Sequence, residues 1–363
     1  MKLRQGPKNM NISINLTKKP KTKPDESKLS FGKQFTDHMF LMNYTPEKGW
    51  HNARIEPYGP LSLDPSTNVL HYGQGVFEGL KAYRTKDNKV LLFRPDENAK
   101  RLRASCERLC IPPIDEADVV QAIVTLVKTD IDWVPSAPGT SLYIRPFIIS
   151  VDPFLGVHPS YTYLFMIIIG PVGPYYPGGL NPTSIYVEDF YKRASKGGMG
   201  HAKTMGNYAA SLIAQEKAIK LNCIQTLWLD AHEGKYIEEV GAMNVFFVIR
   251  DKIVTPELSG SILPGITRKS TLEIAEALGY RTEERKISVD EVIKALKNGD
   301  MKECFGTGTA AVISPVGELV YKDVRYVIND NKIGKISQKL YDTLTGIQYG
   351  IIKDTRGWTL EVK

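Results

Sequence analysis

"GGMGHAKTMGNYAASLIAQEKAIK", residues 197–220, sets one lysine, Lys203, where the chain changes character. Small residues rich in glycine precede it, and an amphipathic pattern that reads as a helix from about Gly206 follows. Lysines usually sit on solvated faces. One wedged among Gly, Ala and Met at an element boundary admits three readings: a surface residue, part of a phosphate-binding loop, or an amine placed to condense with a carbonyl. The choice decides fold and function together.

The phosphate-loop reading fails at one position. G-x-x-x-x-G-K-[ST] needs glycine where Ala202 stands, because the backbone there wraps closely around phosphates. A true loop also follows a buried strand, whereas "DFYKRASK" (189–196) is polar and charged. A P-loop-like nucleotide-binding protein is left as a remote alternative.

Bulk properties narrow the class. At 363 residues, 42% hydrophobic and 24% charged, the chain has room for two domains and the composition of an ordinary soluble globular protein. No apolar run reaches the ~18–20 residues that span a bilayer, and the start lacks a secretory or transit pattern. A cytoplasmic protein without membrane partners is expected. The net charge of +7 is local: residues 1–24 hold seven of the 47 basic residues and no acid, so 40 basic residues face 40 acidic ones beyond Pro24. A nucleic-acid binder carries its charge across a folded face, so no nucleic-acid partner is expected. Four scattered cysteines and six dispersed histidines support neither a disulfide framework nor a metal site.

The pattern is mixed α/β. "KVLLF" (89–93) reads as a strand and Pro95–Leu109 as a helix, with proline suited to its first turn. A helix over about 115–132 and apolar strands at 140–151 and 162–170 follow. "GPVGPYYPGGLNP" (170–182) is dense in Pro and Gly and marks the boundary. Beyond it come "SIYVEDF" (184–190), a hairpin around 229–239, the strands "NVFFVIR" and "KIVTP", helices at 265–279 and 289–298, a strand over 303–316, and a helix over 334–349. The expected division is a flexible basic extension (1–29), a smaller N-terminal α/β domain (30–175), a linker (176–182) and a larger C-terminal domain (183–363) carrying Lys203.

An amine is a nucleophile at neutral pH when burial or a neighbouring positive charge strips its proton. A lone lysine does not establish that. A carbonyl cofactor such as pyridoxal phosphate also requires an anchor for its phosphate, a partner for its pyridine nitrogen and a donor near its 3-oxygen.

Those parts come with a resemblance. "KTMGNYAASL" (203–212), "YIEEVGAMNVFFV" (236–248), "LPGITRKS" (263–270) and "FGTGTAAVISPV" (305–316) resemble the signature blocks of branched-chain amino acid aminotransferases, two-domain fold-type IV enzymes of pyridoxal 5'-phosphate. "FGKQFTDHMF" (31–40), "HYGQGVFEGLKAYR" (71–84), "FRPDENAKRLRAS" (93–105) and "LYIRPFI" (142–148) agree in order and spacing, so the resemblance covers roughly 30–360. It implies a barrel-like sheet in the C-terminal domain, a homodimer, and transamination between Leu, Ile or Val and 2-oxoglutarate.

The residue roles follow from the same resemblance. Lys203 matches the lysine that forms a Schiff base with the cofactor and shuttles the substrate proton. Tyr208 matches the donor to the 3-oxygen, and Glu239 the carboxylate facing the pyridine nitrogen; composition alone does not separate Glu239 from Glu238. Arg101, the amides of Ile266 and Thr267, and Thr309 match the phosphate anchors, and Arg193 a family arginine near the site. Tyr72, Phe77, Tyr143 and Val157 match the apolar wall of the substrate pocket, Val157 reaching it from a neighbouring subunit. Arg145 matches the handle for a glutamate side chain, and Thr309 with Ala310 the seat of the α-carboxylate. Ala242 replaces a hydroxyl of some relatives, and Ala311 and Ser314 replace the C-x-x-C pair of animal ones. The rivals are a D-amino acid aminotransferase and an aminodeoxychorismate lyase of the same fold.

Overall fold

In the computed structural model, which describes residues 10–174 and 180–363, the chain forms two compact units of mixed α/β class. The first comprises the described residues before 175 together with Lys203–Met205 and Gln348–Lys363. The second runs from residue 180 to Ala202 and from Gly206 to Ile347. The expected linker falls largely outside the described residues.

The first unit is built on a nine-stranded sheet in the order Ser13–Ile14, Gly49–Pro57, His38–Thr45, Tyr163–Val172, Ser141–Ser150, Leu80–Arg84, Val90–Phe93 and Thr359–Glu361, with Gly75–Phe77 also paired to Ser141–Ser150. Alternation along the strands sends Phe40, Phe165, Ile167 and Ile144 to one face, where the helices Pro95–Arg108 and Glu116–Thr129 cover them. Met39, Leu41, Leu164 and Met166 form a second apolar layer on the other face. Burial on both faces is why "TYLFMIIIG" reads as an unbroken apolar run. Pro95 opens the first helix, and Asp115 caps the second by accepting from the Ala117 amide at 2.9 Å.

The second unit closes its sheet into a ring. Ile237–Val240, Gln225–Leu229, Thr183–Glu188, Val312–Tyr321, Met301–Gly308 and Met243–Ile249 pair in turn, and the last pairs back to the first. This six-stranded barrel is the sheet implied by the resemblance. Lys252–Pro256 and Arg281–Arg285 extend it beyond Met243–Ile249.

Three features differ from expectation. Residues 10–29 of the basic extension are docked: Ser13–Ile14 pairs with Arg54 and Ile55, Met10 and Gln121 exchange two hydrogen bonds, and the Thr17 amide donates to His38 Nε2 at 2.8 Å. Main-chain groups make these bonds, so side-chain charge is no guide to them. The stretch 303–316 is a hairpin turning at Thr309–Ala311, not one strand, with Val312 at φ +62°. The predicted C-terminal domain is also not contiguous. Lys203–Met205 joins the first unit through an antiparallel bridge from Thr204 to Val76, and Thr359–Glu361 through pairing with Val90–Phe93.

Candidate active site

In the first unit Lys203 is held by its backbone. Its carbonyl accepts from the Phe77 amide at 3.0 Å and its amide donates to Ser105 Oγ at 2.9 Å, while Thr204 Oγ1 donates to the Gly75 carbonyl at 2.8 Å. The amine lies 5.0 Å from the centroid of the Phe77 ring.

Beside it is an ion pair that sequence reasoning missed. Glu78 is fully buried, and Arg101 grips it through Nε at 2.7 Å and Nη2 at 2.8 Å. Asn98 donates to the same carboxylate at 2.7 Å. Burial pushes the Glu78 pKa up, but Arg101, Lys203 and Asn98 outweigh it and hold the carboxyl below the usual range. Nothing in "VFEGL" marks Glu78 as buried, because an acid before glycine reads as a turn.

Arg145 and Tyr143 come from the sheet face opposite the helices. Arg145 Nη2 donates to the Tyr143 hydroxyl at 2.9 Å, and its guanidinium carbon lies 4.7 Å from the Phe77 ring centroid. Its Nε is buried without a hydrogen-bond partner, and among the described residues no carboxylate pairs with it. Such a cation is a ready receptor for an anion. The Tyr143 hydroxyl occupies the space over Gly79, where a Cβ would lie 2.2 Å away. Lys203, Arg101, Phe77, Tyr143 and Arg145 all belong to this unit. Tyr72 and Val157 belong to it too but are exposed, Val157 to 87%.

The second unit gathers another set. Glu239, on Ile237–Val240, is buried; its Oε1 accepts from the Leu263 amide at 2.7 Å, and its Oε2 lies 3.2 Å from Arg193 Nε. A cavity of about 170 Å³ is lined by Arg193, Asn207, Tyr208, Glu239, Ala242 and Leu263. Ala242 thus contributes a methyl group to the wall that holds Glu239 and Tyr208. Tyr208 sits on Met205–Ala209, a short helix separate from Leu212–Lys220, where a single helix was expected.

Two further groups lie in this unit. Ile266 and Thr267 open the helix Ile266–Ala277, whose cap is Gly265 with no side-chain acceptor. A Cβ on Gly265 would lie 1.9 Å from Asn244 Oδ1, so the close approach itself demands glycine. Uncapped amides at a helix start favour an anion. Thr309 and Ala310 lie in the hairpin turn. Sequence reasoning passed over Thr307, which the cross-strand register places in a row with Asn244 and Glu239. Its buried hydroxyl makes no hydrogen bond.

The donor set fits pyridoxal 5'-phosphate. Taken unit by unit, the first offers an amine on a fixed backbone, and the second a buried carboxylate with a cationic partner, a tyrosine lining the same cavity, a helix start without a side-chain cap and a buried hydroxyl without a partner. Among the described residues no group of three or more His, Cys, Asp or Glu is assembled to hold a metal, and no helix is long and apolar enough to cross a membrane.

Comparison with known proteins agrees with this chemistry. The family model described as amino-transferase class IV matches residues 75–319. Branched-chain-amino-acid aminotransferase 2 of Bacillus subtilis is 57% identical over 97% of this chain and 97% of its own. The crystal structure of the Escherichia coli branched-chain amino acid aminotransferase superposes with a TM-score of 0.77 at 25% identity, covering 90% of this chain and 99% of that one. That of a T.th. branched-chain amino acid aminotransferase with pyridoxamine 5'-phosphate also gives 0.77, at 27% identity and coverages of 91% and 100%.

Lys81 stands in register beside Tyr143, and burial pulls its ammonium down to about 8 from an ordinary 10.5. A native pKa below the unfolded one means that the unfolded chain binds more protons between those values. Stability therefore rises with pH from about 8 to 10.5, and the penalty is fully present below 8. Urea midpoints of wild type and Lys81→Met should differ most at pH 7 and converge as pH climbs through that window. A gap constant with pH would reject this account.

Proposed function

We infer the activity from the premise that the chain belongs to the amino-transferase class IV family: it is a pyridoxal 5'-phosphate enzyme that exchanges the amino group between branched-chain L-amino acids and 2-oxoglutarate. The observation that carries this is the seating of Lys203, whose amide and carbonyl are both committed to Ser105 and Phe77 while the residue itself lies outside any helix or strand. When bound, the cofactor supplies the electron sink that lets the substrate α-proton leave.

The residues divide the remaining work. Lys203 Nζ would hold the cofactor and, once released from it, would take and return the substrate α-proton as general base and acid in turn. Glu239, steadied by Arg193 and the Leu263 amide, keeps the pyridine nitrogen protonated. Tyr208 donates to the 3-oxygen. Arg101, Thr309 and the Ile266 and Thr267 amides hold the phosphate, with Glu78 fixing the Arg101 guanidinium. Phe77 and Tyr143 receive an aliphatic side chain. Arg145 receives the side-chain carboxylate of glutamate or 2-oxoglutarate, and Thr309 with Ala310 the α-carboxylate.

The enzyme works as a cytoplasmic homodimer in this reading. Support for the dimer is the run of exposed apolar side chains Phe154, Leu155, Val157 and Tyr161 in one loop of the first unit, since soluble monomers rarely display such a patch. Tyr72 and Val157, exposed in their own chain, then serve the neighbouring copy. Sedimentation equilibrium at micromolar concentration should report twice the chain mass, and a monomer would overturn the assembly.

Purified wild type should show a visible cofactor band that L-leucine bleaches. Lys203→Ala should lack the band and lose at least about 10²–10⁴-fold in rate. Bleaching by D-alanine but not L-leucine would reject the substrate assignment. Arg145→Met should raise KM for 2-oxoglutarate about tenfold or more while leaving KM for leucine within about threefold. Equal losses for both substrates would remove Arg145 from this role.

A further inference from the structure

We propose that Glu238 is a positioning residue which, through Ser261, fixes the Arg193–Glu239 pair and the loop leading into the helix Ile266–Ala277. This rests on the cofactor reading of Glu239 above.

Neighbours on a strand face opposite ways, yet Glu238 and Glu239 hold the same loop. Ser261 Oγ donates to Glu238 Oε1, and two residues on the Leu263 amide donates to Glu239 Oε1 at 2.7 Å. Between these anchors the Ser261 carbonyl accepts from Arg193 Nη2, and Arg193 Nε stands 3.2 Å from Glu239 Oε2. Ser261 is thus tied by its side chain to one glutamate and by its main chain to the counter-ion of the other.

Ser261 Oγ also pairs with Ser259 Oγ at 2.8 Å, a contact within the same loop, so Glu238 is the bond that ties this serine to the strand carrying Glu239. Gly200 bounds the Ser261 carbonyl on one side, where a Cβ would come within 2.0 Å of its oxygen. Asn244 holds the Leu263 carbonyl at 2.9 Å, and Gly265 then opens the helix. With the Glu238 tether cut, the Ser261 carbonyl turns away from Arg193, and Arg193 loses the bond that aims it at Glu239.

Glu238 is not a solvated hairpin acid. It is 6% exposed, and its Oε2 is buried with no hydrogen-bond partner. Such a group costs stability. Burial, with Glu239 and Asp230 nearby, raises its pKa above the ordinary value against the opposing pull of Ser261 and Arg193. Lys196, Lys286, His232, Glu233 and Glu257 line the cavity beside it.

The test is a spectrophotometric pH titration of the visible cofactor band, with kcat and KM, on holoenzyme of wild type, Glu238→Ala, Glu238→Gln and Ser261→Ala. A loosened Glu239 protonates the pyridine nitrogen less firmly, and the less electron-poor ring moves the band's midpoint to higher pH. Glu238→Ala and Ser261→Ala should each raise the midpoint by about one unit and lower kcat about tenfold with KM for leucine within about twofold. Glu238→Gln, which keeps an acceptor for Ser261, should match wild type. Wild-type midpoints and kcat in both truncations would overturn the inference alone, as would a glutamine variant as impaired as the alanine one. Should Glu238→Ala not fold, Ser261→Ala decides the matter by itself. A wild type without a visible band would overturn the activity reading and this inference with it.

Discussion

A lysine side chain rotates about four bonds, so its amine is a defined chemical group only when the main chain beneath it cannot move. In this protein that constraint is a single antiparallel bridge, from Thr204 to Val76, flanked by two further hydrogen bonds. Lys203–Met205 lies against Gly75–Phe77, with the Phe77 amide on the Lys203 carbonyl and the Thr204 hydroxyl on the Gly75 carbonyl. Ser105, on a helix of the same unit, takes the remaining amide. Exchanging any of these for water would leave the amine with a distribution of positions, and near-attack geometry is lost over about an ångström.

Two guanidinium groups of the proposed site are held by pairing. Arg101 is matched to Glu78 and Arg193 to Glu239, and each pair is buried and supported by further donors. Buried pairs gain little net stability over apolar replacements, but breaking one by removing a partner is expensive. Their value here is orientation: a guanidinium held on one edge by a carboxylate presents its other edge in a fixed direction. Arg145 departs from this rule: it is half-buried, with a tyrosine hydroxyl and two aromatic rings but, among the described residues, no acid.

What was legible in the sequence was whatever depends on local pattern. Pro95 announced a helix start, short apolar runs announced most of the strands, and the blocks around Lys203 and Glu239 carried the chemistry. Less legible were features set by distant neighbours. Glu78 is ordinary in its local context and becomes buried only when the helix Pro95–Arg108 brings Arg101 and Asn98 over it. The turn at Thr309–Ala311 hid because the residue that leaves it, Val312, takes a positive φ that β-branched residues avoid. The allegiance of Lys203–Met205 to the first unit rests on one backbone bond and on the hydroxyls of Ser105 and Thr204, whose partners lie 98 and 129 residues away in the chain.

The path of the chain also bears on biosynthesis. Because Thr359–Glu361 completes the sheet beside Val90–Phe93, a nascent chain emerging from the ribosome exposes that edge until some 270 further residues have been made. Unpaired edges invite intermolecular pairing. Here the vulnerable strand, "VLLF", is short and apolar. Chaperone capture of translation intermediates should therefore concentrate on the first unit, while the barrel, with all its ring strands encoded between residues 183 and 321, closes as soon as that stretch is free.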